Sequence, residues 1–187
     1  MLKLFSNTIL KLFGWRVKIT LPEERKFVLI VAPHTSNWDF PLGLLASWTI
    51  TPRISWVAKI QMFRGPLHYL FTALGGIPVD RSAPHGFIDQ IADKIKHSEN
   101  IILTLAPEGT RSKTDCWKTG FYYIALKADI PICFGYIDYQ NRTVGFAEKI
   151  MPTGDIEKDF SLIKLFYQDI EAKHPEKKST MQIKKNA

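Results

Sequence analysis

Short runs of consecutive hydrophobic residues alternate along this chain with longer segments in which hydrophobic residues recur at helical spacing. Such short runs are typical of buried strands, and a recurrence every three to four residues is typical of amphipathic helices. We predict strands at residues 16–20, 27–32, 53–59, 77–82, 101–105, 130–139 and 142–150. We predict helices at residues 2–13, 39–50, 84–98, 119–129 and 155–173, and a further one within 62–76. This alternation indicates an α/β fold, a single domain with a largely parallel central sheet flanked by helices.

The N-terminal segment predicts an amphipathic helix. Lys3, Asn7 and Lys11 fall on one stripe at helical spacing, and the opposite side is apolar. The apolar side consists of Leu2, Phe5, Ile9, Leu12 and Phe13. The lysines interrupt the hydrophobic run that a membrane span or a secretory signal peptide would need, so we expect neither. Two interpretations stay open: a helix lying in a membrane interface, and a terminal helix packed on the domain.

Composition and charge limit the kinds of partner that this protein can have. A chain of 187 residues with 45% hydrophobic and 23% charged residues is typical of one globular domain. Lys and Arg number 25 against 18 Asp and Glu, giving a net charge of +7. This excess favours an anionic partner, whether nucleic acid, a phosphorylated substrate or an anionic lipid surface. Cys116 and Cys133 lack a metal-binding spacing, and we interpret them as reduced thiols in a cytoplasmic compartment.

The first candidate for chemistry is a histidine followed five positions later by an aspartate. A hydrophobic run stops at Pro33 and delivers His34 into a polar turn ahead of Asp39. On one continuous helix these two side chains would point about 140° apart, so a turn must fold the chain for them to meet. If they meet, Asp39 would fix the imidazole tautomer and leave the other ring nitrogen free to take a proton. The alternative is a polar loop in which Asp39 caps the following helix.

Two further polar segments follow predicted strands. The first ends in Asp80 and Arg81, and an arginine grips a phosphate through two parallel hydrogen bonds. Taken alone, this dipeptide is equally consistent with a surface ion pair. The second is APEGTRS, at residues 106–112, which follows the hydrophobic run IILTL and therefore lies where open α/β sheets bind ligands. Its glycine permits close approach to a ligand, and Lys118 lies near the start of the next helix, whose N-terminus favours anions.

Taken together, these segments resemble four blocks of the glycerolipid acyltransferase family, typified by lysophosphatidate acyltransferases. The blocks occur here in the family's order, at residues 34–39, 75–81, 107–112 and 130–132. The resemblance covers residues 15–150, and the complete Pro-Glu-Gly-Thr-Arg-Ser block is its most specific part. Two positions depart from the family pattern: Pro78 stands where an aromatic residue is common, and Ala106 where Phe is common. Both departures bear on the shape of the acceptor pocket.

The resemblance implies transfer of a fatty acyl group from a thioester, on coenzyme A or acyl carrier protein, to a lysophospholipid hydroxyl. His34 is then the general base and Asp39 orients it. The residues implied in binding the acceptor's phosphate and polar head are Arg81, Glu108, Thr110 and Arg111, with Gly109 permitting the approach and Lys118 as a further anion-binding residue. We expect no metal and no cofactor beyond the thioester co-substrate. Residues 1–14 would be a membrane-interface helix, 15–173 the acyltransferase domain and 174–187 a basic tail.

Other functions remain to be distinguished. The acceptor could be lysophosphatidate, a lipidated amino acid or another lysolipid. A serine esterase would need a Gly-x-Ser-x-Gly nucleophile elbow, which the sequence lacks. A non-catalytic basic module binding membranes would leave the His–Asp pair unexplained, and no nucleic-acid motif is present. We therefore expect a peripheral enzyme on the cytoplasmic face of an anionic membrane, without a nucleic-acid partner.

Overall fold

The computed structural model describes residues 2–51, 54–79 and 86–183. These residues form a seven-stranded sheet flanked by helices on both faces, which confirms the predicted α/β class. The strands are β1 Arg16–Ile19, β2 Lys26–Val31, β3 Ile54–Lys59, β4 Gly76–Val79, β5 Ile101–Leu105, β6 Ile132–Asp138 and β7 Thr143–Ile150. The helices are α1 Leu2–Leu12, α2 Asp39–Ser47, α3 Leu67–Ala73, α4 Phe87–Lys96, α5 Gly120–Ala128 and α6 Ile156–Tyr167, with short 3-10 turns at Ile60–Phe63 and Pro175–Lys177.

The strand order β1-β7-β6-β2-β5-β3-β4 places the two central candidate segments side by side. β2 pairs in parallel with β5, in a register that sets Ile30 beside Leu105. Because parallel strands end at the same edge of a sheet, the loop after β2 and the loop after β5 meet there. The pairing of β6 with β7 is antiparallel, so the sheet is largely but not wholly parallel.

Strand β2 explains why a run of hydrophobic residues is needed at the centre of the fold. Val28 and Ile30 belong to the core beneath α4, α5 and α6, and Phe27 and Leu29 to the core on the opposite face. A strand that is buried on both faces is hydrophobic at nearly every position and does not alternate hydrophobic with polar residues. Such continuous hydrophobic runs are typical of parallel sheets. The loop after β2 therefore begins at the end of a strand that is held in place by packing on both faces.

Helix α1 packs on α2 through a narrow stripe. Ser6 and Leu10 are buried there, and Trp15 follows in the same small core. Much of the predicted apolar face stays exposed, with 55% of Phe5, 77% of Leu12 and 65% of Phe13 accessible. One stripe of α1 is therefore packed on the domain, and the membrane-interface interpretation of its exposed face stays a prediction. Across the described ranges, no helix is long and apolar enough to cross a bilayer.

The C-terminal segment departs most from its prediction. Helix α6 ends at Tyr167, short of the predicted residue 173, and the segment predicted as a basic tail packs on the domain as far as residue 183. The backbone N–H of His174 donates to Thr35 Oγ1 at 3.2 Å, and Trp117 N–H donates to the Gln182 carbonyl at 2.7 Å. The segment therefore braces the loops that follow β2 and β5. Helix α2 likewise ends early, at Ser47 and not at residue 50.

Candidate active site

His34 and Asp39 meet at the carboxyl edge of the sheet. After β2 the chain passes a cis Ala32–Pro33 peptide bond and turns before α2. This turn brings His34 Nδ1 to 2.9 Å from Asp39 Oδ2, with 22% of the His34 side chain accessible and 3% of the Asp39 side chain. A carboxylate only accepts hydrogen bonds, so we assign the imidazole proton to Nδ1. The Nε2 lone pair is then free to accept a proton, as the interpretation of His34 and Asp39 as a catalytic pair requires.

Asp39 is held by four donors, and it does not cap a helix. Its Oδ2 also accepts from the backbone N–H groups of Thr35 at 3.0 Å and Ser36 at 2.9 Å, and its Oδ1 accepts from the Tyr139 hydroxyl at 2.7 Å. Helix α2 begins at Asp39 itself and its N-terminus has no side-chain cap, so the capping interpretation is wrong. The carboxylate instead turns back onto the preceding loop. Burial raises the pKa of Asp39, but the bonds from His34, Tyr139 and Ser36 outweigh it and hold the pKa below its ordinary value.

Glu108 points into the protein beneath His34. It is 2% exposed, and its Oε1 accepts from the backbone N–H of His34 at 3.1 Å. Burial raises the pKa of Glu108 above its ordinary value. Its Oε2 is buried without a hydrogen-bond partner among the described residues. The resemblance implied that Glu108 binds the acceptor head group, whereas the structure places it as a support for the His34 loop.

Three residues of the third block, Gly109, Thr110 and Arg111, are exposed and lie on the side of His34. Gly109 has φ +67°, and a Cβ there would lie 2.8 Å from Lys118 Nζ, so both backbone conformation and space favour glycine. Thr110 and Arg111 line the same cavity as His34. The structure thus brings together His34, Asp39, Gly109, Thr110 and Arg111, with Lys118 against Gly109. Arg81 lies outside the described residues, so its predicted role in phosphate binding stays a prediction.

A cavity of about 780 Å³ leads from His34 between α2 and the sheet. One stripe of α2 lines it at helical spacing, and the strands of the sheet form the opposite wall. The lining residues from α2 include Phe40, Gly43, Leu44 and Ser47, and those from the sheet include Leu29, Val31, Ile137, Val144 and Phe146. Apart from the polar groups around His34 and Arg111, this wall is mainly hydrophobic. The site therefore joins a potential base and a cation to a mainly apolar cavity.

Sequence reasoning missed Tyr139 altogether. Tyr139 is one hundred residues from Asp39 in the chain and reaches it from the end of β6. A tyrosine closing a hydrophobic run is the only local signal, and it does not reveal a partner. Metal ligation has no candidate within the described ranges, because no group of His, Cys, Asp and Glu is suitably placed. Cys116 and Cys133 are free, and burial raises the pKa of Cys133 to about 12.

Comparisons with known proteins show the family and the fold of this chain. The Acyltransferase family model matches residues 16–134, which is more than half of the chain. A 1-acyl-sn-glycerol-3-phosphate acyltransferase from Cocos nucifera is 34% identical over 110 residues, covering 56% of this chain and 35% of that protein. The chain thus corresponds to about a third of the length of this curated relative.

A solved structure has the same fold. The crystal structure of the 1-acyl-sn-glycerophosphate (LPA) acyltransferase PlsC from Thermotoga maritima matches with a TM-score of 0.61 and 19% identity. The match covers 92% of this chain and 80% of that chain. The matched family region contains His34, Asp39 and the whole third block. This chain is a member of the Acyltransferase family.

Proposed function

We propose that the protein transfers a fatty acyl group from an acyl thioester to the free hydroxyl of a lysophospholipid, with lysophosphatidate as the acceptor. The observation that carries this proposal is the His34–Asp39 pair at the polar end of a large apolar cavity, beside Arg111. The family and the name of the plant relative support it. The acyl donor would be acyl-CoA or acyl carrier protein.

The reaction follows from the free Nε2 of His34. Nε2 removes the proton from the acceptor hydroxyl as its oxygen attacks the thioester carbonyl carbon. The tetrahedral intermediate then collapses, the carbon–sulfur bond breaks, and the thiolate leaves with the proton returned from His34. General base catalysis of this kind contributes typically ~10²–10⁴ in rate. Asp39 keeps Nδ1 protonated and stabilises the imidazolium that forms between the two proton transfers.

The head group of the acceptor would bind outside His34, on the third block. Arg111 is exposed and lines the cavity, and the Lys118 ammonium lies against Gly109. A guanidinium binds two phosphate oxygens at once, and an ammonium adds a point charge. We assign the acceptor phosphate to Arg111, Thr110 and Lys118, with Arg81 as a further ligand on the strength of its motif.

An acceptor screen tests the proposed function. Purified protein is given radiolabelled acyl-CoA or acyl carrier protein thioester with lysophosphatidate, other lysolipids or a lipidated amino acid. We expect thioester cleavage to depend on the acceptor and to be fastest with lysophosphatidate. Preference for a lipidated amino acid would assign a different acceptor to the same chemistry. Cleavage without any acceptor would indicate a thioesterase, and no cleavage with any pair would contradict the proposal.

The cavity between α2 and the sheet would hold an acyl chain, and Gly43 offers a way to shorten it. Gly43 lies within the cavity-lining stripe of α2, and a Cβ added there meets no atom within 4 Å. Gly43→Leu should therefore fold and narrow the cavity. Each methylene group kept out loses about 0.8 kcal/mol of burial, so excluding two should lower kcat/KM for long acyl chains roughly tenfold.

The measurement is kcat/KM across a series of acyl-CoA chain lengths, with Gly43→Ala as the graded control. The smaller side chain should produce a smaller shift toward short chains. An unchanged chain-length profile in the folded Gly43→Leu variant would mean that this cavity does not hold the acyl chain.

We further propose that α1 docks the enzyme peripherally on the cytoplasmic face of an anionic membrane. Phe5, Leu12 and Phe13 are more than half exposed, and Lys3 and Lys11 lie on the opposite stripe of the helix. Trp38 and Phe40 are also exposed on either side of Asp39, at 62% and 44%. Exposed apolar side chains therefore also lie beside the active site. Apolar burial combined with attraction of about 1 kcal/mol per basic residue suits an interfacial helix.

Replacing Phe5, Leu12 and Phe13 together with Ser should weaken vesicle binding by at least about tenfold, because each loses interfacial apolar burial. Substitution is preferable to deletion, since Ser6 and Leu10 are buried against the domain. The measurement is co-sedimentation with phosphatidylcholine vesicles containing phosphatidylglycerol, at low and high salt. Leu162→Ser with Leu165→Ser, on the exposed face of α6, is the matched control. Equal binding by both variants would contradict docking through α1.

A further inference from the structure

Tyr139 contributes to the His–Asp site from outside the region that the family model matches. It follows β6, beyond residue 134 where that match ends. Its hydroxyl donates to Asp39 Oδ1 at 2.7 Å, which is the shortest of the four hydrogen bonds to this carboxylate. The other three donors belong to the turn after β2 and all approach Oδ2. Each carboxylate oxygen is therefore held by a different part of the chain.

The phenol of Tyr139 is itself fixed independently of that turn. Its backbone N–H donates to the Glu171 carbonyl at 2.9 Å. The Trp15 ring meets the Tyr139 ring edge-on, with centroids 5.1 Å apart, and Lys173 Nζ lies 6.0 Å from the same centroid. Because these contacts come from Trp15, just before β1, and from the C-terminal segment, the hydroxyl is an anchored donor.

An anchored donor on Oδ1 has a defined mechanical effect. A carboxylate turns about its Cβ–Cγ bond, and bonds to a single oxygen leave that rotation weakly restrained. Donors on both oxygens fix the plane of the carboxylate. The direction in which Oδ2 accepts the hydrogen bond from His34 Nδ1 is then fixed as well. The angle of the imidazole ring, and hence of Nε2, follows from this plane.

We propose that Tyr139 is a positioning residue for the His34–Asp39 pair, acting through Asp39 to aim His34 Nε2 at the acceptor hydroxyl. The inference rests on the proposed function for the identity of the reaction. The orientation of the Asp39 carboxylate by Tyr139 does not depend on which substrate the enzyme uses.

The titratable groups around the carboxylate give the direction of a pH effect. His34 approaches from the turn after β2 and Tyr139 from the end of β6, with Glu108 beneath the His34 backbone and Lys173 above the Tyr139 ring. Burial and the neighbouring Asp39 raise the pKa of Tyr139, so its hydroxyl stays a donor. The Tyr139 bond lowers the pKa of Asp39, so removing it raises that pKa. Ionised Asp39 is then lost at a higher pH as the solution is acidified.

The test is Tyr139→Phe, which removes the hydroxyl and keeps the ring against Trp15. We expect kcat to fall by about tenfold, as for one hydrogen bond to a charged group, with KM for both substrates within about twofold. Within the acid limb of the kcat/KM profile, the steeper fall that accompanies protonation of Asp39 should begin at a higher pH than in the parent. The matched control is Tyr122→Phe, because the Tyr122 hydroxyl also donates to a buried carboxylate, Asp159, at 2.8 Å. The control should leave kcat and the acid limb unchanged.

A double-mutant cycle separates positioning from general destabilisation. If Tyr139 acts through Asp39, adding Tyr139→Phe to Asp39→Asn should lower kcat by less than about twofold further. A full additional tenfold loss would overturn the inference. An unchanged kcat and pH profile in the folded Tyr139→Phe variant would also overturn it, while leaving the proposed acyl transfer intact.

A spectroscopic measurement keeps the inference testable without any substrate. The His34 Nδ1 proton, bonded to Asp39, should give a low-field proton NMR signal, assigned through its absence in His34→Gln. We expect Tyr139→Phe to broaden or move this signal and Tyr122→Phe to leave it in place. The same signal in parent and Tyr139→Phe would overturn the inference, whatever reaction the enzyme catalyses.

Discussion

Replacing His34 with Gln is expected to lower kcat for acyl transfer by roughly 10²–10⁴-fold while the protein stays folded. The imidazole supplies the Nε2 lone pair that accepts the acceptor's proton, and a Gln amide nitrogen has no such lone pair. The Gln amide can still donate to Asp39, so that buried carboxylate keeps a partner on this side. The backbone bond from residue 34 to Glu108 does not involve the side chain and is retained.

The measurement is initial rates with saturating acyl-CoA and lysophosphatidate, together with a thermal melt. His97→Gln is the control, since His97 is an exposed histidine at the end of α4 whose ring contacts only the Asp93 carbonyl among the described residues. Its rate and melting temperature should match the parent. A His34→Gln enzyme with parental kcat would exclude His34 as the base, and a loss explained wholly by unfolding would assign it a structural role.

The elements that carry the site follow from local sequence. A strand buried on both faces is hydrophobic at most of its positions, so the sequence predicts β2 and β5 as well as the turn that follows each of them. The requirement that a turn bring His34 to Asp39 is likewise a consequence of chain geometry. These features depend on residues close in sequence, where periodicity and turn chemistry are informative.

The directions of side chains were harder to predict. Glu108 directly precedes three residues that line the cavity, Gly109, Thr110 and Arg111, yet it turns inward and accepts from the backbone N–H of His34. Asp39 was a candidate helix cap because it precedes a helical pattern, but its carboxylate folds back onto the loop. In both cases the partner is a backbone N–H, and its position depends on the loop conformation and not on residue type.

Contacts between segments that are far apart in the sequence could not be predicted from it. Tyr139 and the C-terminal segment reach the site only because β6 lies beside β2 and because the chain after α6 returns across the carboxyl edge. A lysine-rich composition at the C-terminus favours a solvated tail, and it gives no indication that the backbone of Gln182 would pair with Trp117. Tertiary packing determines where these segments lie, and the local sequence preferences do not.

The most informative change in the carboxylate is Asp39→Asn, which removes the charge and keeps the size. We expect kcat to fall by roughly 10²–10⁴-fold, because a neutral amide no longer stabilises the imidazolium that forms on His34. In addition, an amide that keeps its oxygen toward Thr35 and Ser36 turns its NH₂ group to Tyr139, and the opposite flip confronts the His34 Nδ1 proton with a donor. Either arrangement loses the fixed tautomer or one anchoring bond. The free energy of unfolding should also fall by about 1–3 kcal/mol at neutral pH, since a buried donor is left unpaired.

The pH dependence of stability reports the ionisation of this carboxylate. The folded-state pKa of Asp39 lies below its ordinary value, so its contribution to stability is complete above the unfolded pKa of about 3.9 and is lost as the pH falls through the lower folded pKa. Urea unfolding of parent and Asp39→Asn from neutral to acid pH should therefore show curves that converge only at strongly acid pH.

Asp159→Asn is the matched control, because Asp159 is equally buried and accepts from a tyrosine hydroxyl and from the backbone N–H of Thr153 at 2.7 Å, away from the cavity. It should lose comparable stability while the folded enzyme keeps parental kcat. If Asp39→Asn behaved in the same way, with stability reduced and turnover intact, Asp39 would be a structural carboxylate and His34 would have to act without it.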